Sequence, residues 1–490
     1  MKVQLSELLS KNTVPAGTFY NLDIKGLTSD SRQVRPGYLF AAFKGSLTNG
    51  ECFIQDAIEQ GAVAILVSDE LESNPDKESA VFLSDSNPRR KFSIMASRFY
   101  KVQPKSIVAV TGTNGKSSVA HFTQQIWDQA GFNAASIGTL GVKSNKRKQE
   151  LELTTPDSVT LFKTLSELAD DGISNVIIEA SSHGIHQYRL DGANICAAAY
   201  LNLAHDHLDY HYDSESYLNA KAGLFRRIVN SEGTAVINSD DSAYKKMRNI
   251  CSARSLKIIT FGSKDADLRL IENRVNNIGQ VMTINCFGDM YEINSSLPGR
   301  FQAYNMLASL GLAIATGVST KKAIKALETL KGVPGRLELI AKRSNGAPIF
   351  VDYAHTPDAL DVVLKTLRSL VSGRVILVFG CGGDRDKNKR ISMGSIASKN
   401  ANLVIVTDDN PRTEDPKLIR AEILAACPGA LEIEDRAQAI YSAISSLNDN
   451  DLLLVAGKGH EIGQIIGRKI TPFNDAEIII SSLQAINEGI

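Results

Sequence analysis

Short apolar runs separated by amphipathic stretches recur along the whole chain. The first two runs are Tyr38–Phe43 and Ala62–Val67, and the segment between them has apolar residues at helical spacing. Strands that alternate with helices are typical of parallel sheets covered by helices. The pattern therefore predicts an α/β fold class. Later runs continue the alternation: Ile107–Val110, Ile349–Val351, Val375–Phe379, Leu403–Val406 and Leu452–Ala456.

Two joints divide the chain into three predicted domains. One is a polar joint at Val102–Lys105, and the second lies at Gly332–Gly335, where glycine and proline interrupt the pattern. Between them, residues 256–298 are strand-like, and we expect a hairpin turn at Asn276–Gly279. We predict a small N-terminal α/β domain, a central parallel-sheet domain and a C-terminal Rossmann-like α/β domain, over residues 1–103, 104–334 and 335–490.

Charge and composition narrow the classes of function. The chain has 54 basic and 54 acidic residues among 490, so it lacks the global positive field that draws proteins onto nucleic acid or anionic membranes. No stretch reaches the roughly 20 apolar residues of a membrane span. The six cysteines form no Cys-x-x-Cys pair, which favours buried free thiols over disulfides or a thiolate zinc site. We expect a cytoplasmic monomer whose partners are small molecules.

The segment Thr111–Ser118 has the features of a phosphate-binding loop. It follows the strand ending at Val110 and precedes a predicted helix, so backbone N–H groups and the positive helix end would face an anion. Lys116 would neutralise phosphate oxygens, and the Ser117 hydroxyl would bind Mg²⁺. The strict phosphate-loop pattern has glycine in place of Val110. The alternative interpretation of this segment is a plain glycine-rich turn. The sequence does not distinguish ATP from GTP as the nucleotide. We predict a P-loop ATPase-like domain with nucleotide contacts at Gly112, Thr113, Asn114, Gly115, Lys116, Ser117 and Ser118.

Two later strands end in loops that carry acidic or histidine side chains. Glu179 ends one apolar run, where it would either hold a metal near the phosphate loop or cap the next helix. Three of the eight histidines lie within residues 205–211 beside carboxylates. Zinc, a hard cation bridging phosphates and a polar surface turn all remain open for this loop. Lys221 lies on a predicted helix, where a surface lysine is the simplest interpretation.

Several motifs follow one another along the chain: Thr111–Ser117, Glu179–Gly184, Asp206–His211, Asn305, Gly335–Glu338 and Asp352–Pro357. In this order they resemble the Mur ligase family, the ATP-dependent amide-forming enzymes of peptidoglycan precursor synthesis, across essentially the whole chain. Within the family, three motifs resemble the branch that adds the third peptide residue: Phe379–Lys387, Asp408–Arg412 and Gly457–Glu461. Arg412 is typical of the version that adds meso-diaminopimelate instead of lysine.

The resemblance implies transfer of the γ-phosphate of ATP to a substrate carboxylate, followed by attack of an amino-acid amine on the acyl phosphate. It implies ATP and Mg²⁺ as cofactors, with one Mg²⁺ on Ser117 and Glu179. A second would lie on His207 and a carbamylated Lys221. His355 stays open between a structural and a catalytic role. The implied catalytic residues are Lys116, Glu179, His207 and Lys221, and the further ATP contacts are Asn305, Arg336 and Asp352.

The resemblance also implies two substrate sites. In the amino-acid site, Arg385 and Arg412 can hold the distal carboxylate bidentately, with Glu461 on the distal ammonium. In the site of the UDP-N-acetylmuramoyl-dipeptide, Leu153 occupies a family position that is often asparagine. The implied contacts of the UDP-N-acetylmuramoyl-dipeptide are Ser29, Ser31, Ser46, Thr48, Thr154, Thr155, Ser181, Gln187 and Arg189. Those of diaminopimelate are Arg385, Asp409, Asn410, Pro411, Arg412, Gly457 and Glu461.

Three alternatives have distinct signatures. A lysine-adding ligase, another Mur ligase or a folylpolyglutamate synthase would differ in which amino acid triggers phosphate release. A P-loop switch or motor would hydrolyse nucleotide slowly and without regard to amino acids, and the arginine-bearing C-terminal loops favour the ligase. A dinucleotide-binding dehydrogenase is disfavoured, because the third glycine of its pattern would fall at Arg385.

Overall fold

The computed structural model describes residues 2–9, 21–45, 49–69, 79–204, 210–211, 213–276 and 279–488. Within them the chain forms three main sheets, which follow one another along the sequence. Among these residues we find no helix that is both long enough and apolar enough to cross a bilayer.

The N-terminal elements are β1 (Val3–Gln4), α1 (Leu5–Leu8), β2 (Asp23–Ile24), β3 (Gly26–Thr28), β4 (Tyr38–Ala41), α2 (Ile54–Glu59), β5 (Ala62–Ser68), β6 (Val81–Asp85) and α3 (Pro88–Tyr100). Four of them form a parallel sheet in the order β3-β4-β5-β6, and β1 pairs antiparallel with β2. Helix α3 begins after Asn87, whose side chain accepts a hydrogen bond from the Arg90 N–H. Its apolar face buries Phe92, Met95 and Phe99 in the core.

The central elements build one 11-stranded sheet with covering helices. They are β7 (Ser106–Thr111), α4 (Lys116–Ala130), β8 (Ala134–Gly138), β9 (Gly141–Ser144), β10 (Lys148–Gln149), α5 (Ser158–Asp170), β11 (Asn175–Glu179), α6 (Ser182–His186), β12 (Ile195–Tyr200), α7 (Ser214–Gly223), β13 (Thr234–Asn238), α8 (Tyr244–Ala253), β14 (Lys257–Gly262), β15 (Leu268–Asn276), β16 (Gly279–Cys286), β17 (Asp289–Ser295), α9 (Arg300–Ala315) and α10 (Thr320–Leu327).

The middle of this sheet is parallel, in the order β8-β11-β7-β12-β13-β14. Its strands are buried on both faces. On one face, for example, Val108 of β7 and Phe122 of α4 share a core with Met306 of α9. Because the carboxyl ends of parallel strands lie at one edge of the sheet, the loops after β7, β11 and β12 converge there.

Antiparallel strands extend the central sheet at both edges. β9 and β10 add to one edge; at the other, β15 pairs parallel with β14 and forms an antiparallel meander with β16 and β17. The pairing of Asn276 with Gly279 confirms the predicted hairpin. A short loop over residues 263–267 joins β14 to β15, whereas helices connect β12 to β13 and β13 to β14.

The C-terminal elements are β18 (Glu338–Lys342), β19 (Pro348–Asp352), α11 (Pro357–Arg368), β20 (Val375–Phe379), α12 (Asn388–Asn400), β21 (Leu403–Val406), α13 (Pro416–Leu424), β22 (Leu431–Glu432), α14 (Arg436–Ser445), β23 (Leu452–Ala456), β24 (Gly463–Ile466), β25 (Lys469–Pro472) and α15 (Asp475–Glu488). The sheet order is β18-β19-β23-β20-β21-β22, and only β18 is antiparallel to its neighbour. The carboxyl ends of β19, β20, β21 and β23 therefore share one edge.

The α/β fold class predicted from the apolar runs is confirmed, and β20, β21 and β23 coincide with three of those runs. The three sheets occupy residues 26–85, 106–295 and 338–456. The domain limits at 103 and 334 stay a prediction. Four cysteines are buried and Cys196 is half-buried, but Cys52 is exposed, so the expectation of buried thiols is wrong for Cys52.

A fully buried ion pair ties the last two long helices to the C-terminal sheet. Arg436, at the start of α14, donates from Nε to Asp475 Oδ1 at 2.7 Å and from Nη2 to Asp475 Oδ2 at 2.8 Å. The same Nη2 donates to the carbonyl of Ala456, the last residue of β23. Removing either partner would leave a buried charge without its counter-ion.

We expect Asp475→Asn to lower the free energy of unfolding by about 3–5 kcal/mol, because the Arg436 guanidinium would remain buried without an anion. Urea unfolding followed by circular dichroism measures the change. The control is Glu7→Gln, which removes an exposed ion pair with Lys101 and should change stability far less than Asp475→Asn. Equal effects of the two substitutions would contradict the structural role assigned to the buried pair.

Candidate active site

The phosphate loop joins β7 to α4 by a backbone that only glycine adopts easily. Gly115 precedes the first helical residue with φ of 92°. A Cβ at this position would lie 2.4 Å from Asn305 Oδ1. Lys116 Nζ donates to the carbonyl oxygens of Gly112 and Thr113, both at 2.9 Å. The lysine is thus folded back over the loop, at the place where an anion would be held.

Glu179, at the end of β11, is buried beside this loop. Its Oε2 accepts a hydrogen bond from Ser117 Oγ at 2.9 Å, and its Oε1 accepts one from the Thr139 N–H at 3.0 Å. The hydroxyl of Ser181, and not Glu179, accepts from Gly184 N–H to cap α6. The alternative of Glu179 as a helix cap is therefore wrong. A hydroxyl and a carboxylate in contact are ligands that a hard cation prefers.

Lys221 is buried on α7 and is not the surface lysine that its helix alone suggests, with an exposed fraction of 1%. Its Nζ lies 4.1 Å from the centre of the Tyr217 ring, and Tyr217 O–H donates to Thr113 Oγ1 at 3.3 Å. Tyr217 therefore links Lys221 to the phosphate loop, because its ring contacts Lys221 and its hydroxyl contacts Thr113. His207 lies outside the described residues, so its predicted place beside Lys221 stays a prediction.

A hydrogen-bonded group of predicted substrate residues lies next to Glu179. Thr155 Oγ1 donates to the Glu179 carbonyl at 2.7 Å and lies 2.9 Å from Ser181 Oγ. Arg189 donates from Nη1 to the Thr155 carbonyl at 2.6 Å and from Nη2 to Gln187 Oε1 at 2.8 Å. Burial lowers the pKa of Arg189 from its ordinary value. Thr154 Oγ1 lies 3.1 Å from Thr139 Oγ1.

The N-terminal residues predicted to contact the UDP group are less well placed by the structure. Ser29 and Ser31 lie in the turn after β3, where Asp30 caps a short helical turn by accepting from the Arg32 N–H. Neither serine lines the two cavities described next. Ser46 and Thr48 lie outside the described residues. The four contacts stay predictions.

A first cavity of about 590 Å³ collects the phosphate loop, the Glu179 group and part of the C-terminal region. Gly112 and Gln187 support its lining without forming it. The predicted residues that line it are Thr113, Asn114, Gly115, Lys116, Ser117, Ser118, Thr154, Thr155, Glu179, Ser181, Arg189, Lys221, Arg336, Arg385 and Glu461.

Arg336 enters the first cavity from the segment that leads into the C-terminal sheet. Its guanidinium carbon lies 4.2 Å from the centre of the Tyr353 ring. Asp352 accepts from the N–H groups of Leu337 and Ala354, and burial raises the pKa of Asp352 to about 6, against the opposing effect of Arg336. Just before Arg336, a Cβ on Gly335 would lie 2.2 Å from the backbone nitrogen of His460.

A second cavity of about 610 Å³ adjoins the first one and is lined by His183 and otherwise by the C-terminal region. Gly457, with φ of 111°, passes so close to Asp409 that a Cβ would lie 2.6 Å from Asp409 Oδ2. Pro411 belongs to the same loop but does not line the cavity. The predicted residues that line it are Arg385, Asp409, Asn410, Arg412, Gly457 and Glu461.

Two residues of positive φ shape the arginine-bearing loops of the second cavity. Asp384 has φ of 53°, and its carboxylate accepts from Thr413 N–H and Oγ1. Arg412 also has φ of 53°, and its backbone bonds to Ile465 and Gly467 of the β24–β25 hairpin. Such backbone conformations are unfavourable for residues other than glycine, so the surrounding contacts must stabilise both residues in them.

Sequence reasoning missed several residues of these cavities. Thr139 follows β8, and only the parallel pairing of β8 with β11 brings it to Glu179. Tyr353 and His460 lie inside motifs already noted, and their rings pack 5.3 Å apart. Burial lowers the pKa of His460 to about 4, so this ring is neutral at pH 7. His355 also packs on Tyr353 and lines both cavities.

A third cavity of about 330 Å³ lies on the other side of Gly115 and Asn305. Phe261 and Tyr304 give it apolar walls, and Val362 of α11 closes it from the C-terminal region. Its position beside the phosphate loop suits the base and ribose of a nucleotide whose phosphates lie on that loop.

These features together define a nucleotide-dependent α/β enzyme with adjoining sites for phosphate groups and for a small charged ligand. Residues 23–100 match the Mur ligase family catalytic domain, residues 110–313 the Mur ligase middle domain, and residues 335–459 the Mur ligase glutamate ligase domain. The chain belongs to the Mur ligase family.

The chain is similar over nearly its full length to curated relatives. It is 46% identical over 486 residues to a UDP-N-acetylmuramoyl-L-alanyl-D-glutamate--2,6-diaminopimelate ligase of Bradyrhizobium diazoefficiens, which covers 98% of this chain and 99% of that protein. A solved structure of a ligase of the same name has a TM-score of 0.73 at 32% identity, covering 99% and 100% of the two chains. A Mycobacterium tuberculosis folylpolyglutamate synthase complexed with ADP has a TM-score of 0.63 at 18% identity, over 76% of this chain and 92% of that one, which shows a shared fold.

We expect Gly115→Ala to lower the melting temperature and weaken nucleotide binding, because the new Cβ would displace Asn305. The matched control is Gly131→Ala at the other end of α4. Gly131 has the same φ of 92°, but no atom lies within 4 Å of a Cβ there. Backbone strain of about 1–2 kcal/mol is common to both substitutions, so the excess loss at Gly115 measures the clash. If Gly115→Ala and Gly131→Ala had equal melting temperatures and equal affinities for a fluorescent ATP analogue, the predicted clash with Asn305 would be refuted.

Proposed function

We propose that this chain is an ATP-dependent ligase that joins meso-diaminopimelate to the D-glutamate carboxylate of UDP-N-acetylmuramoyl-L-alanyl-D-glutamate, in peptidoglycan precursor synthesis. The proposal agrees with the names of the curated relatives. The observation that carries it is the wall shared by the first and second cavities, which joins the phosphate loop to a cavity lined by both basic and acidic side chains. That wall consists of His183, Tyr353, His355, Arg385 and Glu461.

Amide formation requires an activated carboxylate. An amine does not displace oxide from a carboxylate at neutral pH, so the γ-phosphate of ATP is first transferred to the D-glutamate carboxylate. The amine then attacks the carbonyl carbon of the acyl phosphate, loses its proton and forms the amide bond. Phosphate leaves with the former carboxylate oxygen, and ADP is the other product. The protein contributes mainly positioning and neutralisation of charge.

The phosphate groups of ATP would lie on the loop from Gly112 to Ser118. Lys116 would exchange its two carbonyl partners for phosphate oxygens, and Arg336 would add a second cation from the C-terminal side of the first cavity. The base and ribose would enter the third cavity beside Asn305. Asp352 would hold the turn that carries Arg336 through the hydrogen bond that it accepts from the Leu337 N–H.

Ser117 and Glu179 fit a Mg²⁺ ion, because their contacting oxygens are hard ligands placed at the phosphate loop. When bound, Mg²⁺ would neutralise charge on the phosphates. We place a second ion on His207 and on Lys221 as a carbamate. Carbamylation replaces a buried ammonium, which would repel the metals, by an anionic oxygen ligand. Mass spectrometry of the intact protein is the direct test of that modification.

The acceptor substrate would approach Glu179 from the side of Thr155, Ser181 and Arg189. The Arg189 guanidinium is held by Gln187 and by the Thr155 carbonyl, so its orientation is fixed before an acidic ligand arrives. Thr154 lies beside it. The UDP group would extend toward Ser29, Ser31, Ser46 and Thr48. We also propose that the protein is a monomer, and that it is cytoplasmic because ATP and UDP-linked substrates are cytoplasmic metabolites.

Diaminopimelate would occupy the second cavity with its distal amino-acid centre between Arg385, Arg412 and Glu461. Arginine binds a carboxylate with two parallel hydrogen bonds, and the Glu461 carboxylate would take the distal ammonium. L-Lysine has that ammonium but lacks the distal carboxylate. It would leave the guanidinium groups without their anion, which is a strong basis for rejection.

We expect Arg412→Ala to lower kcat/KM for meso-diaminopimelate by about 100-fold or more, because the substrate would lose a charged hydrogen-bonded partner. The low rate with L-lysine should change little. Phosphate release in the presence of ATP, Mg²⁺ and the UDP-dipeptide measures both.

The control for Arg412 is Arg468→Ala, on the exposed turn of the neighbouring hairpin, which should leave both rates unchanged. Equal rates of the wild-type protein with diaminopimelate and with L-lysine would exclude the proposed amino-acid specificity. Phosphate release that needs neither amino acid would favour a simple nucleotide hydrolase.

Because burial raises the pKa of Asp352 to about 6, we expect ATP affinity to decrease as the pH falls through 6. Above that pH the carboxylate is ionised and supports the turn that carries Arg336; below it the carboxyl is neutral. The loss should approach tenfold at pH 5. Isothermal titration calorimetry from pH 5 to 8 compares the wild type with Asp352→Asn. Protonation of ATP affects both proteins equally, so parallel pH profiles would contradict this role.

A further inference from the structure

A buried lysine lies directly behind the second cavity. Lys458 follows Gly457, has no exposed surface and is not part of the cavity lining. An ammonium in this position loses its hydration, so its hydrogen-bond partners must compensate for the desolvation. Its two side-chain partners, Asn410 and Glu461, both line the cavity. We call these three residues the Lys458 triangle.

The contacts within the Lys458 triangle are closed on all three sides. Lys458 Nζ donates to Asn410 Oδ1 at 3.0 Å and to Glu461 Oε2 at 3.1 Å. Asn410 Nδ2 donates to the same Glu461 Oε2 at 2.8 Å. The Ile465 N–H, on the β24–β25 hairpin, adds a second donor to Asn410 Oδ1 at 2.9 Å.

These contacts fix the orientation of the Asn410 amide. Both donors to Asn410, from Lys458 and from Ile465, face Oδ1, so the amide nitrogen must lie on the opposite side. One of its two N–H groups is used by Glu461. The second N–H is then available in the cavity for a carboxylate oxygen. If the Asn410 amide were flipped, its oxygen would face the carboxylate of the ligand and repel it.

The triangle also limits the charge that Glu461 offers to a ligand. Its Oε2 accepts from both Lys458 and Asn410, and among the described residues no donor is found for Oε1. Oε1 is thus the oxygen that a ligand ammonium would meet. The nearby Lys458 ammonium offsets part of the negative charge, so a lone ligand ammonium gains less from Glu461 than from an isolated carboxylate.

We propose that Lys458 is a positioning residue that makes amino-acid selection depend on the distal carboxylate. It rests on the proposed function and deepens it. Lys458 turns the Asn410 N–H toward that carboxylate, beside Arg385 and Arg412, and weakens the attraction of Glu461 for an ammonium alone. A ligand that has both groups gains from the whole arrangement, whereas L-lysine meets only the weakened part.

The test is the ratio of kcat/KM for meso-diaminopimelate to that for L-lysine. In Lys458→Met we expect the diaminopimelate value to fall at least tenfold, mainly through KM, while the L-lysine value stays level or rises. The ratio should therefore shrink at least tenfold. Lys458→Arg keeps the charge and should retain more of the ratio than Lys458→Met. The control Lys469→Met, at an exposed position of β25, should leave the ratio unchanged.

A purely structural role for Lys458 makes a different prediction, because a loosened loop would lower both kcat/KM values in parallel. A double-mutant cycle with Glu461→Gln adds a second readout. If Lys458 acts through Glu461, its substitution should have a smaller effect on the ratio when Glu461 is already neutral. Additive effects in this cycle, or parallel losses for the two amino acids, would overturn the proposal.

The outcomes separate this inference from the proposed function. Wild-type protein that does not prefer diaminopimelate contradicts the function itself, whereas a wild-type preference that survives in Lys458→Met contradicts only the role of Lys458. If Lys458→Met fails to fold, Asn410→Asp takes its place. It is nearly isosteric and removes the amide donor, so a ratio unchanged by Asn410→Asp would also overturn the proposal.

Discussion

The hydrogen bond between Ser117 and Glu179 is the contact on which the rest of the site depends. It joins the first turn of α4 to the end of β11, two elements that lie 62 residues apart in sequence. Parallel pairing of β11 with β7 makes the contact possible, since both strands end at the same edge of the sheet. Thr139 from the next strand completes the group around the carboxylate. The central sheet thus builds its polar centre from three neighbouring strand ends.

The C-terminal sheet repeats this principle with different chemistry. Asp352 ends β19, Arg385 follows β20, Arg412 follows β21 and Glu461 follows β23. Four parallel strands therefore deliver a carboxyl group, two guanidinium groups and a second carboxylate to one edge. Loops that follow strands of both sheets line the first cavity, and the second cavity shares part of that lining. Activation of an acid and capture of an amine can then take place in adjoining spaces.

Motif order predicted most of this arrangement, because the motif residues follow strands and strand ends converge in parallel sheets. Glu179 and Ser117 are the clearest example. The Lys458 triangle was not predictable, since Lys458 reaches Asn410 over 48 residues of chain and depends on the hairpin at Ile465. The left-handed conformation of Arg412 was not predictable either, because nothing in an arginine favours it. Thr139 had no signal beyond its position after a strand.

The close passage of Gly335 over His460 has a mechanical consequence. A Cβ on Gly335 would lie 2.2 Å from the backbone nitrogen of His460, so the segment bearing Arg336 packs against the loop bearing Glu461 with no room for a side chain between them. Arg336, which would bind the nucleotide, and Glu461, which would bind the amino acid, therefore depend on the same backbone contact, and a side chain at Gly335 would disturb both sites.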